Sequence, residues 1–234
     1  MIYLEFFESI ISIFNTHGIE FLKATVLTVK LTITSLIIAC IIGLFFAFFK
    51  VSNIKILESI ANAYIFIVRG MPLIVQLMFL YYGISSVFIL SDFTAGAIAL
   101  GIHSGAYIAE IFRGSIQSID KGQMEAGRSL GMTYFTTMRR IVLPQSFKRA
   151  IPALANQFII GLKDSSLVAY IAVSELFNHA LSAQASNYMP LETYFVVGIY
   201  YLILVLIFTL LFNKLEKKMD VGKGKKHDKV EVAF

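Results

Sequence analysis

Two adjacent charged residues, Lys163 and Asp164, interrupt a long apolar stretch near the middle of residues 151–174. If that stretch crosses a bilayer, a charge at its centre is disfavoured by about 2.5 to 3.5 kcal/mol on insertion scales, so each charge needs a partner. Neighbouring residues point about 100° apart on a regular helix, and the two side chains therefore cannot readily neutralise each other. An ammonium group beside a carboxylate suits a zwitterionic ligand. The alternative is an ion pair between helices that only holds the bundle together.

The backbone around this pair carries residues that permit an irregular helix. Gly161, Ser165 and Ser166 would allow local unwinding around a water-lined cavity. Gln76, a polar residue in a second apolar stretch, faces either a neighbouring helix or the same polar path. The residues predicted to form a pathway through the membrane are accordingly Lys163, Asp164, Ser165 and Gln76.

Motifs for covalent chemistry are missing from the sequence. It contains no HExxH and no close cluster of carboxylate and histidine residues, so no metal site is predicted. The run Gly222-Lys223-Gly224-Lys225 lacks the G-x-x-x-x-G-K-[ST] spacing of a phosphate-binding loop. Ser104 lacks the G-x-S-G pattern of a membrane serine protease because Ile102 occupies the glycine position. No catalytic residue is predicted, and an intramembrane enzyme is a distant alternative.

Composition indicates a polytopic membrane protein. Hydrophobic residues make up 57% of the 234 positions and charged residues 15%, and a spanning helix needs about 20 apolar residues. Arg69, Gly70 and Pro72 should break or kink the helix ahead of the second span. The sequence predicts an all-α protein whose single membrane domain, residues 1–216, has five spans at about 21–49, 71–90, 93–113, 151–174 and 193–213.

The third predicted span has features that favour helix packing. Four small residues recur at every fourth position: Ala97, Gly101, Gly105 and Ala109. Such a face lets another helix approach closely. Glu110 and Arg113, three residues apart, can pair near the membrane interface as a structural clamp.

Positive charges lie on one side of the predicted spans. Lys50 and Lys55 follow the first span, seven Lys or Arg residues lie at positions 113–149, and seven more lie at 214–229. The loops between spans on the other side have no Lys or Arg. Because cytoplasmic loops carry an excess of positive charge, the N-terminus is predicted outside and the C-terminus inside. The tail, residues 217–234, is then a basic cytoplasmic segment near anionic lipid, and nucleic acid is not a predicted partner.

A polar segment of about 30 residues separates the third span from the fourth. Gln123–Leu130 can form two helical turns, and Gly131 should end or bend that helix because glycine costs roughly 1 kcal/mol against alanine in a helix interior. Thr133–Ile141 forms a second short helix, which Pro144 closes. Two short helices at an angle make a knob that can sit in a cleft of a partner, with Glu125 free to anchor it.

The spacing in this segment resembles the EAA loop of the membrane subunits of ABC importers. The matching residues are Glu125-Ala126-Gly127, Gly131 and Ile141-Val142-Leu143-Pro144. Gly127 stands where the family usually has alanine, a small-for-small change that keeps room for a partner to approach closely. The resemblance implies that residues 119–150 form a cytoplasmic coupling loop. It also implies contact with a separate ATPase through Glu125, Ala126, Gly127, Gly131, Ile141, Leu143 and Pro144.

Three further segments extend the resemblance to the polar amino acid branch of these permeases. They are VRGMPLIVQ at 68–76, AYIAEIFRG at 106–114 and LKDSSL at 162–167. Together, and in this order, they cover nearly the whole membrane portion. The general likeness is greatest to L-cystine importer permeases of Gram-positive bacteria. Arginine, histidine and glutamine importers share every one of these motifs and stay open as alternatives.

The resemblance implies a type I ABC importer permease of the bacterial cell membrane that works by alternating access. It implies a second permease subunit, identical or related, and an extracytoplasmic amino-acid-binding protein. It also implies two ATPase subunits that bind ATP and magnesium, while this chain binds no cofactor. A channel is a second distant alternative, and the coupling loop argues against it because a channel has no reason to carry one.

Overall fold

Helices form nearly all of the computed structural model, which describes residues 2–52, 54–85 and 90–219. No strand occurs in these ranges, so the predicted all-α fold is confirmed. The elements are, in chain order, α1 (Ile2–Val51), α2 (Lys55–Gly70), α3 (Leu73–Ser85), α4 (Asp92–Gln117), α5 (Lys121–Ser129), α6 (Tyr134–Thr137), a π-helical turn (Met138–Val142), α7 (Leu143–Asp164), a 3-10 segment (Ser165–Ile171), α8 (Leu176–Asn187) and α9 (Pro190–Lys218). Most of the predicted basic tail, from residue 220 onward, lies outside the described residues.

Three helices in the described ranges are long and apolar enough to cross a membrane, namely α1, α4 and α9. The pair formed by α2 and α3 is a fourth candidate, bent by 104° at its break. The break falls where Arg69, Gly70 and Pro72 predict it, because α2 ends at Gly70 and α3 begins at Leu73. The count of five spans stays a prediction.

The first helix is longer than predicted. α1 has 50 residues and measures about 75 Å, more than twice the roughly 30 Å hydrocarbon core of a bilayer. Its N-terminal half is held by packing on α9, where Ile13 and Phe21 belong to one buried cluster with Val196 and Val197. Such long-range contacts are not visible in a hydropathy pattern, and the predicted span therefore began only at residue 21.

The helix of the fourth predicted span becomes irregular before residue 174. The α-helix ends at Asp164, the 3-10 segment Ser165–Ile171 follows, and Ala172 has a left-handed backbone with φ 63°. The hydroxyls of Ser165 and Ser166 each donate to a carbonyl three residues back, at 2.8 Å. These local hydrogen bonds compete with the α-helical pattern. The irregular backbone that Ser165 and Ser166 would allow is therefore observed, and it begins directly after Asp164.

Pro144 does not close the second helix of the loop, contrary to the prediction. α6 passes through the π-helical turn directly into α7, so that one helical column runs over residues 134–164. The N–H of Leu143 bonds to the carbonyl of Met138, five residues back, which widens the turn just ahead of the proline. Pro144 therefore lies in the first turn of α7, where a missing N–H is tolerated.

The small-residue face of α4 is its contact with α1, as predicted. A Cβ built on Gly101 would lie 2.6 Å from Cγ2 of Ile38, and one on Gly105 would lie 2.9 Å from Cγ2 of Ile42. α1 contributes a glycine of its own, Gly43, against α4. The two helices interlock because isoleucine methyl groups on one occupy the space that glycines leave on the other.

Candidate functional site

The turn between α5 and α6 is closed by backbone hydrogen bonds around Gly131. This residue has a φ of +82°, in the left-handed region that favours glycine. The N–H of Met132 bonds to the carbonyl of Gly127 at 3.1 Å, and the N–H of Gly131 bonds to that of Arg128 at 3.0 Å. This is the Schellman pattern of a helix C-terminus. The prediction that Gly131 ends the first helix is confirmed.

The outer surface of the loop exposes large apolar side chains. Leu130 is 83% exposed, Phe135 73% and Tyr134 46%, and we call these three residues the apolar tip. Glu125 and Ala126 are exposed on α5. Leu130 and Phe135 were not among the predicted contact residues. The signal that could have identified them is their apolar character within an otherwise polar segment.

The inner surface of α5 packs on the helical column. Gly127 is buried, and a Cβ there would lie 2.6 Å from Cγ2 of Thr137 and 3.3 Å from Cδ1 of Ile141. The space at Gly127 is thus taken by the loop's own second helix rather than left open for a partner. Leu143 is partly buried against Val142. Of the seven predicted contact residues, Glu125, Ala126, Gly131 and Pro144 are exposed, whereas Gly127, Ile141 and Leu143 pack inside the loop.

A buried cluster attaches the loop to the ends of the long helices. Ile116 of α4 packs with Val142 of the π-helical turn, and Val51 at the end of α1 packs against this cluster. Arg149 of α7 donates to the backbone carbonyl and the hydroxyl of Ser118, which follows α4. The loop is therefore packed against the ends of α1, α4 and α7.

Lys163 and Asp164 are the last two residues of α7. Lys163 is exposed and Asp164 is partly buried, while Ser165 is fully buried. The three ion pairs found in the described part of the chain involve other residues. As predicted for neighbours on a helix, no ion pair joins the lysine to the aspartate.

Gln76 lies at the break between α2 and α3. Its Nε2 donates to the carbonyls of Val68 and Met71, at 2.7 Å each. Its Oε1 lies 3.4 Å from Nδ1 of His103 on α4. No hydrogen bond joins Gln76 to residues 163–165 among those described. The two parts of the predicted pathway are therefore not in direct contact.

A polar cavity of about 580 Å³ lies beside the same break. The guanidinium of Arg69 stands 5.1 Å above the ring of Tyr107, and both residues line the cavity together with Lys50, Asn62 and Glu110. A second cavity of about 380 Å³ shares Arg69, Tyr107 and Glu110 and extends to α7. Its further polar lining residues are Asn156 and Gln157.

Glu110 is the centre of an ion-pair cluster. Its Oε2 lies 2.7 Å from Nη2 of Arg113, which confirms the geometry of the predicted clamp. Its Oε1 lies 2.7 Å from Nζ of Lys50, a partner 60 residues away that was not predicted. The cluster joins the end of α1 to α4.

Glu175 is a buried carboxylate that was not among the residues predicted from the sequence. Its Oε1 accepts from the N–H of Asn178 at 2.8 Å and so caps α8. Its Oε2 accepts from the hydroxyl of Tyr201 at 3.0 Å and from that of Thr28 at 3.4 Å. The side chain is fully buried. It therefore ties α1, α8 and α9 together.

The face formed by α1, α7 and α9 differs in polarity from the face around Arg69. A cavity of about 390 Å³ on it is lined mainly by aliphatic and aromatic side chains. They include Ile37, Cys40, Leu154, Phe158 and Phe208.

Comparison with known proteins accounts for these features together. Residues 9–221 match the family described as binding-protein-dependent transport system inner membrane component. The arginine transport system permease protein ArtQ of Bacillus subtilis (strain 168) is 36% identical over 200 residues, which cover 85% of this chain and 91% of ArtQ. The L-cystine transport system permease protein TcyB of the same strain is 37% identical over 195 residues, 82% of this chain and 83% of TcyB.

A solved structure supports the same relationship. The crystal structure of an amino acid ABC transporter with histidines contains a chain that matches with a TM-score of 0.78 and 40% identity, over 85% of this chain and 93% of that one. The range matched to the family, residues 9–221, includes the loop between α4 and α7 and all the residues that line the two polar cavities. The resemblance predicted from the EAA-like spacing is thereby confirmed, and the chain belongs to the family of binding-protein-dependent transport system inner membrane components.

Proposed function

We propose that this chain is the membrane subunit of an ATP-driven importer that translocates a polar amino acid by alternating access. Its family, and relatives whose names specify arginine and L-cystine transport, support this function. The observation that carries the proposal is the coupling loop. Its outer surface is exposed, while its inner surface is packed into the ends of α1, α4 and α7.

The exposed side of the loop is the surface offered to an ATPase. The three exposed apolar side chains of the apolar tip and the exposed carboxylate of Glu125 are the kinds of group that a cleft can desolvate and anchor. Ala126, which is also exposed, is small enough to let a partner approach closely. Two such ATPase subunits, each with ATP and magnesium, would supply the energy, since this chain carries no phosphate-binding motif.

The helical column connects that surface to the charged residues in the membrane. Residues 134–164 form about 46 Å of continuous helix. The apolar tip lies at its start, and Lys163 and Asp164 form its end. A displacement imposed by the ATPase at one end can therefore reach the predicted pathway at the other without passing through a flexible loop.

The difference in polarity between the two faces indicates how the subunit sits in its assembly. Charged groups such as Arg69 and Lys50 are costly against lipid and are expected to face water or protein. We therefore place the polar cavities along the translocation path and against a second permease subunit. The apolar cavity of α1, α7 and α9 then faces lipid.

The substrate is assigned only to a class. Lys163 can bind the carboxylate of an amino acid and Asp164 its ammonium group, and Ser165 follows them at the start of the 3-10 segment. ArtQ and TcyB are 36% and 37% identical to this chain, so sequence identity does not favour arginine over L-cystine. L-Cystine therefore stands beside arginine, histidine and glutamine as a candidate, delivered by an extracytoplasmic binding protein.

The orientation in the membrane follows from charge. The coupling loop and the C-terminal end of α9 carry the excess of Lys and Arg, which supports an orientation with both in the cytoplasm and the N-terminus outside.

Uptake measurements test the function and the pathway together. A strain that lacks the gene is complemented with the wild-type chain and assayed with radiolabelled L-cystine, L-arginine, L-histidine and L-glutamine. The wild type should restore uptake of at least one. Asp164→Asn should lower that uptake about tenfold or more at unchanged membrane levels, because it removes a charge-assisted hydrogen bond. Asp228→Asn, the same substitution in the tail, should leave uptake unchanged.

A wrong substrate class and a wrong role for Asp164 give different results in this assay. If the wild type restores none of the four uptakes, the assignment to polar amino acids is wrong. If Asp164→Asn transports normally, or does not accumulate in the membrane, Asp164 has no demonstrated place in the pathway.

A further inference from the structure

Gly127 is a glycine inside a helix at a position where alanine would ordinarily stabilise the helix. Glycine in a helix interior is disfavoured relative to alanine because it loses more backbone entropy on folding. The position is buried, and a Cβ on it would lie 2.6 Å from Cγ2 and 3.0 Å from Oγ1 of Thr137. Contacts this short do not form without a shift of one of the two helices.

Thr137 is held in the orientation that fills this space. It has no exposed surface, and its Oγ1 donates to the carbonyl of Thr133 at 3.0 Å. Turning the methyl group away from Gly127 would break that hydrogen bond or bury the hydroxyl without a partner. Thr137 is also the last residue of α6, directly ahead of the π-helical turn.

This contact joins α5 to the helical column. α5 carries Glu125 on its exposed side, and Gly127 on its buried side touches the column near its base. The turn through Gly131 joins the same two helices covalently, and the packed contact at Gly127 restricts the angle between them.

We infer that Gly127 and Thr137 form a size-matched pair that positions α5 on the helical column and so sets how fully ATPase motion is transmitted to the membrane helices. Gly127 and Thr137 are positioning residues, buried away from the surface offered to the ATPase. This inference rests on the proposed function, because it assumes that the loop transmits motion. Side-chain volume added at position 127 should be tolerated only when volume is removed at position 137.

The test compares single and double variants in the complete importer complex. Amino acid uptake per ATP hydrolysed is measured in proteoliposomes that contain this chain, its ATPase and its binding protein. Gly127→Ala should lower that ratio about fivefold or more, because extra methylenes in a packed contact force helices apart. Gly114→Ala is the matched control, since a Cβ at Gly114 has no atom within 4 Å.

Two substitutions of Thr137 distinguish the effect of its methyl group from that of its hydroxyl. Thr137→Ala and Thr137→Val both remove the hydroxyl, and they differ only in the methyl groups that face position 127. Gly127→Ala with Thr137→Ala should recover most of the wild-type ratio, whereas Gly127→Ala with Thr137→Val should not. If Gly127→Ala alone does not accumulate in the membrane, the double variant with Thr137→Ala supports the pairing when it recovers both the membrane level and the uptake per ATP hydrolysed.

Three results would overturn the pairing. They are an unchanged ratio in Gly127→Ala, no recovery with Thr137→Ala, and equal recovery with Thr137→Val. Absence of ATP-dependent uptake in the wild-type complex would instead refute the proposed function on which the pairing rests.

Discussion

Gln76 shows that a polar side chain inside an apolar stretch can satisfy the backbone itself. The break between α2 and α3 interrupts the helical hydrogen bonds and leaves carbonyls that need other donors. The amide of Gln76 donates to two of the carbonyls there, those of Val68 and Met71. Gln76 is therefore a clamp on the break, in addition to the pathway role predicted for it.

Gln76→Leu should destabilise the subunit. The leucine has a similar size but no donor, and a carbonyl that is shielded from water and loses its partner costs about 1 to 3 kcal/mol. We expect a lower midpoint of thermal unfolding for the purified subunit in detergent. Gln123→Leu, at an exposed position of α5, is the matched control. Normal thermal stability with reduced uptake would instead show that Gln76 serves only the pathway.

At the level of single residues, the sequence predicted what depends on local chemistry. Gly131 ends α5 as expected because its positive φ is a local requirement of the turn. Lys163 and Asp164 do not pair because of the angle between helix neighbours. The contacts of Glu175 could not be predicted, because its bond to Thr28 joins residues 147 positions apart. Such contacts depend on the tertiary arrangement.

At the level of elements, α1 and α4 form the packed centre of the subunit. Glycines on each helix receive isoleucine side chains from the other, so the helices are closer than larger residues would allow. The four-residue spacing on α4 was sufficient to predict the contact, although not its partner. The continuation of α6 into α7 was not predictable from proline alone, because a π-helical turn ahead of Pro144 accommodates it.

Gly101→Ala should destabilise the subunit, and Gly114→Ala in the same helix should not. The added methyl at Gly101 would lie 2.6 Å from Cγ2 of Ile38 and 3.2 Å from the carbonyl of Ser35, whereas at Gly114 nothing lies within 4 Å. Overpacking of this kind costs about 1 to 3 kcal/mol. Thermal unfolding of the two variants in detergent measures the difference. Equal midpoints would show that α1 and α4 do not pack as closely as described.

At the scale of the whole molecule, the exposed surface proposed to contact the ATPase and the charged residues predicted to line the pathway lie at opposite ends of one helical column. The buried cluster around Ile116 and Val142 packs the loop against the ends of α1 and α4. The polar cavities beside Arg69 and the apolar cavity near Phe158 give the subunit one face suited to water and protein and another suited to lipid. The arrangement fits a subunit that converts motion below the membrane into a change of access within it.

The most direct test of this account is ATP-dependent uptake by the complete complex in proteoliposomes, with ATP supplied on the side of the coupling loop. The wild-type complex should take up its amino acid only when ATP is present. Glu125→Lys should lower uptake about tenfold or more, since it reverses the charge that anchors the loop. Glu58→Lys, at an exposed position of α2, should transport normally. Uptake at the same rate without ATP, or normal transport by Glu125→Lys, would contradict the account.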